Sequence, residues 1–421
     1  MTVSYKPKWQ KSGNLSRLLR ELNEGTELNE NGGITFTASD HQDLFFLLAD
    51  SVTSKSDLTR RDLSGISYRS FIELRKQGEV KLKPLLAEIS RRSNELLSSE
   101  RIQHTMWSHM RLKQMAFHPG CRFEFDGVRI RTVARLPKWL RLSEYFISGI
   151  GRINPNELSF FGYVIATTDA RNENEASEKI FAALDVFFAV ANTRNRSLEM
   201  WVQRRPTAKF WLGPYQFFFA KRKFLGNDRL WSNPSFDKRE WELFPTDARK
   251  FNENAPGVRR ALSKLQIHPL RKPLEEAFRF VSEGMVSADL AFRLMRFWSA
   301  AESLYSIRNQ KTSMSVIIDR MVFADGDEKW LTKSKLQRAY EIRNEYVHRG
   351  SSAGDDSPLV QHLREVILSF LYYILFNGDD IESHEELLMM LDLPKDVEAL
   401  TRRATAIERR RLIQDTGRHR A

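Results

Sequence analysis

Between Leu274 and Ile374, apolar residues return every three or four positions along five successive segments. Leu274, Ala277, Phe278 and Val281 make the first stripe, and Leu290, Leu294, Phe297, Trp298, Ala301, Leu304 and Tyr305 a longer second one. Met314, Ile317, Ile318 and Met321 follow, then Leu331, Leu336, Ala339, Tyr340, Tyr346 and Val347, and last Val360, Leu363, Val366, Ile367, Phe370, Leu371 and Ile374. A three-to-four repeat puts its apolar members on one side of an α-helix. Each stripe is narrow enough for a single buried face, so the segments are expected to pack on one another as an antiparallel helical bundle with short connections.

The front of the chain reads differently. Met1 to about Ser39 is polar and turn-rich around Asn29, Asn31, Gly32 and Gly33, which predicts a loose lead-in. Helical spacing between Ser70 and Leu112, as in Leu82, Leu85, Leu86 and Ile89, predicts one long helix or two. After Pro119 and Gly120 the period falls to two: Phe123, Phe125, Val128 and Ile130 flank Asp126-Gly127, a strong short-range hairpin pattern. A strand over 160–167, an apolar helix over 176–191 and further strands between Trp201 and Phe224 complete the set. The segment from Ser232 to Pro256, rich in Asn, Asp, Pro and charge, marks a boundary. The expected fold class is α+β, with a mixed α/β domain over 1–255, an all-α bundle over 256–400 and a basic tail over 401–421.

Composition narrows the classes. A single cysteine, Cys121, among 421 residues excludes a disulfide framework and every multi-cysteine zinc site. No leader or cleavage pattern follows Met1, and the apolar runs fall short of the ~20 residues of a membrane helix. A soluble, cytoplasmic protein is expected, without membrane, metal or cofactor. The net charge of +12 attracts polyanions. Part of it lies in the tail, where Arg402, Arg403, Arg409, Arg410, Arg411, Arg418 and Arg420 face only Glu408 and Asp415, as in a solvated helix end or an RNA-contacting arm. Between Trp201 and Phe224 basic residues alternate with aromatic ones and end in Lys221, Arg222 and Lys223. Single-strand-binding surfaces have this pattern, and so do sheets with one wet face.

The chemistry concentrates in Tyr340-Glu-Ile-Arg343-Asn344-Glu-Tyr-Val-His348-Arg349-Gly350. Gly350 can take the left-handed conformation that closes a helix, which places His348 and Arg349 in the last turn. At 3.6 residues per turn Asn344 and His348 lie about 40° apart, whereas Arg343 is about 140° from His348. Asn344 is therefore expected to orient His348, and Arg343 to curl round the helix or reach a groove made with another element. Glu302, set among core-facing residues of the Trp298–Tyr305 segment, is the expected partner of Arg343, because carboxylates are rarely buried unpaired.

Trp298 to Tyr305, followed about 40 residues on by Arg343-Asn-x-x-x-His348-Arg-Gly350, resembles the HEPN superfamily and its ApeA-like branch. The likeness covers roughly 290–378. The family hallmark is an Arg, a polar residue and a His separated by four to six positions on the third helix of a four-helix bundle, and Arg343, Asn344 and His348 match it. The resemblance implies a homodimer with two copies of the motif facing one cleft. It also implies RNA endonuclease activity of the kind used in antiphage defence, toxin systems or RNA processing. A phage-derived trigger or a regulatory protein is then an expected partner.

These residue types suit metal-independent RNA cleavage. A base takes the 2′-OH proton, an acid protonates the leaving 5′-oxygen, and a cation holds the phosphate. Histidine serves the first two tasks; the planar fork of Arg343 serves the third, with Arg349 beside it as an RNA contact. A His and an Arg before a helix-closing Gly are also ordinary complements of the helix dipole, and some HEPN modules bind without cutting. A non-catalytic module for dimerisation and nucleic-acid or ligand binding is thus the alternative. His104 and His109 are read as ordinary helix residues. His118 and Cys121 lack two further ligands, and Gly149-Ile150-Gly151 lacks the lysine of a nucleotide cradle.

Overall fold

A computed structural model describes Lys8 and residues 15–29, 33–37, 41–52, 58–113, 121–141, 161–194, 212–225, 231–232, 246–287, 289–307, 312–323, 329–349, 357–393 and 396–418. The protein is α+β, with helices at both ends and a sheet between them. Four helices, α1 (Leu15–Glu24), α2 (His41–Asp50), α3 (Arg60–Arg75) and α4 (Leu82–Ser98), and a small hairpin of β1 (Thr26–Leu28) and β2 (Ile34–Phe36) build an N-terminal unit. Its own core contains Leu22, Phe45, Leu48, Phe71, Leu85 and Ile89. The expected loose lead-in is corrected here: Leu15, Leu18, Leu19 and Leu22 are buried on one face of α1. They follow the i, i+3, i+4, i+7 pattern that the surrounding polar residues obscure.

The second correction is larger. Helix is confined to α3 and α4, and the chain then enters β3 (Ile102–Lys113), the strand on which His104 and His109 lie. Both faces of β3 are covered, and every residue from His104 to Met110 is buried. Polar and apolar residues therefore do not alternate along it. Around β3 stand β4 (Arg122–Phe125), β5 (Val128–Val133), β6 (Phe161–Ala170), β7 (Leu212–Ala220) and β8 (Lys223–Phe224), in the antiparallel order β4-β5-β6-β3-β7-β8. Two short strands complete the sheet: β9 (Trp231–Ser232) pairs with β7, and β10 (Thr246–Asp247) runs parallel to the end of β3. Asp126 (φ 54°) and Gly127 (φ 72°) make the β4–β5 turn, both left-handed as a two-residue I′ hairpin requires.

One face of the sheet presents Met106, Phe123, Ile130, Val164 and Phe218 to α5 (Glu173–Arg194), which buries Ile180, Leu184 and Phe187 in return. The opposite face carries Trp107 stacked on Phe217 at 4.3 Å between ring centres, partly covered by Leu136 and Leu140. The N-terminal unit is clasped to the start of α5 by buried Asp62. Its carboxylate accepts hydrogen bonds from the side-chain amides of Asn172 (2.7 Å) and Asn174 (3.1 Å) while capping α3 with Thr59.

The C-terminal region is helical: α6 (Ala248–Ile267), α7 (Arg271–Val286), α8 (Leu290–Tyr305), α9 (Met314–Met321), α10 (Lys329–Arg349), α11 (Ser357–Asn377), α12 (His384–Leu391) and α13 (Val397–Arg418). The expected stripes of α7, α8 and α11 are buried apart from Leu290 and Val366, which are partly so, whereas on α10 Leu336 and Ala339 are buried and Leu331 and Val347, expected beside them, are exposed. Where α7 crosses α8, Gly284 admits the Phe297 ring so closely that a Cβ would stand 2.5 Å from its Cε1.

The core runs unbroken across residue 255, because the inner face of the sheet, α5 and the bundle share one apolar cluster. Asn192 on α5 donates to Ser282 on α7, and the hydroxyls of Thr193 and Tyr372 lie 2.8 Å apart. The residues expected to form a boundary include the first turns of α6. One helix departs from the expectation about apolar length: Pro358–Asn377 is long and apolar enough to cross a membrane, yet half of it is buried inside the protein as a core helix would be. The basic tail begins within α13, whose residues 401–410 are all exposed.

Candidate functional site

Helix α10 is fixed by the burial of Leu336, Ala339 and Ile342, spaced three apart. That anchoring sends the next residue, Arg343, along the flank of the bundle toward α8. Its guanidinium Nη2 stands 3.8 Å from Glu302 Oε1, and its Nη1 donates to Asn344 Oδ1 at 3.4 Å. The same group lies 6.0 Å from the centre of the Tyr340 ring, which meets Trp298 edge-on at 5.8 Å. Trp298 is wholly buried. The cation is thus supported from the core outward, through Trp298 and Tyr340.

Glu302 does pair with Arg343, but the pair is half-buried: the two side chains retain 41% and 31% of their exposure. Attraction in such a setting is worth about 1 kcal/mol or less, so the contact orients Arg343 more than it stabilises the fold. One donor is left over. Arg343 Nε is buried without a hydrogen-bond partner, a state that costs about 1–3 kcal/mol until an acceptor fills it.

His348 lies further along the last turn and is exposed. Asn344 contacts Arg343, and His348 has no hydrogen bond or ion pair among the described residues. Within one chain, Arg343, Asn344 and Glu302 are therefore gathered together, while His348 stands apart. Arg349 closes α10, and Gly350 lies outside the described residues. Lys221, Arg222 and Lys223 form the exposed β7–β8 turn on the sheet, with Arg222 5.8 Å above the Trp139 ring.

Sequence reasoning missed Tyr340 as a supporting residue, although its place three positions before Arg343 puts it on the same helical flank. It also missed Arg122, Arg129 and Arg131 on the outer face of the sheet, which alternation with Phe123, Val128 and Ile130 would have marked.

Other candidates hold no chemistry of this kind. Among the described residues no group of three or more His, Cys, Asp or Glu gathers. His109 is buried and held down to about 4 by the loss of solvent around it, and burial pushes the Cys121 thiol up. His118 and the Gly149–Gly151 stretch fall outside the described residues. The chain matches no family model, no curated protein and no solved structure.

Proposed function

We propose that the chain is a metal-independent endoribonuclease of HEPN type that acts as a homodimer in the cytoplasm, as an antiphage or toxin effector. The observation that carries this reading is Arg343. It is oriented by Glu302 and Tyr340, it keeps a buried donor unfilled, and it lies little more than a turn before an exposed imidazole on the same helix. A guanidinium in that state is prepared for a phosphate. His348 of one copy takes the 2′-OH proton, the 2′-oxygen attacks phosphorus, and the other copy's imidazole protonates the departing 5′-oxygen. The products are a 2′,3′-cyclic phosphate and a 5′-hydroxyl. Val347, 54% exposed beside His348, offers apolar surface that a second copy would cover.

The second reading, a non-catalytic dimerisation or binding module, is favoured by one observation: nothing among the described residues of the same chain orients His348. Incubation of the full chain with total RNA in EDTA separates the two. Fragments with cyclic phosphate ends, lost in His348→Ala and in Arg343→Ala chains that stay folded and dimeric, are expected. Cleavage that vanishes with chelator, or RNA binding by the wild-type chain with no cutting even alongside phage lysate, overturns the nuclease reading.

A further inference from the structure

Outside the bundle, the outer face of the sheet carries a second cationic site. Arg122 faces Arg131 across β4 and β5, and Arg129 faces Thr167 on β6, which in turn faces Thr105 on β3. Directly paired residues share a face, and so do residues two apart on one strand. The three arginines therefore project together, about 7 Å apart along β5 and about 5 Å across to β4. Glu124 shares this face, opposite Arg129. No ion pair involves any of the three arginines among the described residues.

With Glu124 they line an open cavity of about 710 Å³ that also takes in Thr105, Thr167 and Trp139 and continues to Arg259 on α6. That volume lies in the range of ligand sites. Trp139 remains 38% exposed and meets Phe219 edge-on at 6.0 Å. The β7–β8 turn, with Lys221 and Arg222 both at positive φ (46° and 64°), holds Arg222 over the Trp139 ring. The basic turn and the cavity thus share the indole as a common edge. Three clustered cations that outnumber the one carboxylate among them, hydroxyls beside them and an exposed aromatic ring are what an unpaired polynucleotide requires: phosphate neutralisation, hydrogen bonding and a stacking surface for a base. A duplex offers its phosphates but hides the faces of its bases.

We infer that the outer face of the sheet binds single-stranded RNA, with phosphates at Arg122, Arg129 and Arg131 and a base against Trp139. The choice of RNA rests on the nuclease reading of the bundle; the cationic and aromatic site itself stands without it.

The test uses the full chain carrying His348→Ala, so that no RNA is consumed, and measures anisotropy of a labelled 12-nucleotide oligouridylate across a salt series. Arg129→Gln with Arg131→Gln is expected to weaken binding at least tenfold and to lower the slope of log affinity against log salt by about 1.4, since each lost single-strand phosphate contact accounts for about 0.7. Trp139→Ala is expected to weaken binding roughly 5- to 100-fold, with Trp139→Phe recovering most of it. Arg402→Gln with Arg403→Gln, an equal charge change on α13, is expected to alter binding less than about twofold. Equal losses from the two double variants, unchanged binding in the sheet double variant, or capture of UTP without capture of the oligonucleotide would each overturn the assignment. Tight binding through Arg129 and Arg131 by a wild-type chain that never cuts would leave the sheet site in place and remove the nuclease. Cutting that persists with binding unaltered in the sheet variant would do the reverse.

Discussion

Arg343 in the bundle and the three arginines on the outer face of the sheet stand in opposite states. In the bundle several guanidiniums are tied to carboxylates: Arg320 to Asp392, Arg338 to Glu341 and Glu345, Arg343 to Glu302, Arg364 to Glu365. On the outer face of the sheet Arg122, Arg129 and Arg131 have no such tie among the described residues. A tied cation is directed, and directed charge stabilises a transition state; a free cation is merely available, and available charge collects polyanions. On the proposed reading, the first is where RNA is cut and the second where it is held.

The largest expected effect breaks the directed half. Arg343→Ala should lower the single-turnover cleavage rate by about 10²- to 10³-fold, as loss of a transition-state donor does, with RNA affinity by anisotropy changed by less than about threefold. A large loss of affinity instead would make Arg343 one more free cation and erase the contrast.

Next comes a pH effect confined to the sheet. His109 is held down to about 4 by burial, whereas a histidine in the unfolded chain titrates near 6.5. Between those values the unfolded chain binds more protons, so stability is full above about pH 6.5 and falls as the pH drops through the window. The loss approaches about 3 kcal/mol near pH 4 and is constant below. Urea denaturation from pH 7 to 4 should show that slope in the wild type and a flatter one in His109→Gln; an unchanged slope would mean that His109 is protonated in the folded state.

Gly284→Ala tests the bundle's packing. The new methyl would press on Phe297, which is buried, and overpacking of this kind costs about 1–3 kcal/mol. A lowered melting temperature with cleavage kept in the surviving folded fraction is expected. The smallest effect belongs to Glu302→Gln, which removes a half-exposed ion pair. Stability should fall by less than about 1 kcal/mol, while cleavage falls further than stability does, since the orientation of Arg343 is what is lost. Equal behaviour of the two would make the pair an ordinary surface contact.

These contrasts were unevenly legible in the sequence. Helices α7, α8 and α11 were readable because each buries one stripe and leaves the rest wet, and the Asp126-Gly127 hairpin because its turn demands positive φ; on α10 the expected stripe holds at Leu336 and Ala339 but fails at Leu331 and Val347, which are exposed. Glu302 does meet Arg343, but the reason for expecting it was wrong: Glu302 keeps 41% of its exposure and is not a core carboxylate in need of a partner. β3 was not readable: its two faces are both covered, so His104, Ser108 and His109 sit inside without any alternation to mark them. Helix α1 was hidden by its length of ten residues among polar ones. The cationic face of the sheet was within reach, since the Asp126-Gly127 turn sets Arg122 opposite Arg131, but it escaped because the hairpin was read only for its apolar face.

The shared core on either side of α5 has a mechanical corollary. This helix is the floor of the sheet and also a wall of the bundle, so neither half owns a complete interior. Either half expressed alone should come out of the cell insoluble, whereas the two halves expressed together should sediment as one particle. The two proposed activities would then share one continuous core, and a change that loosens α5 should weaken both.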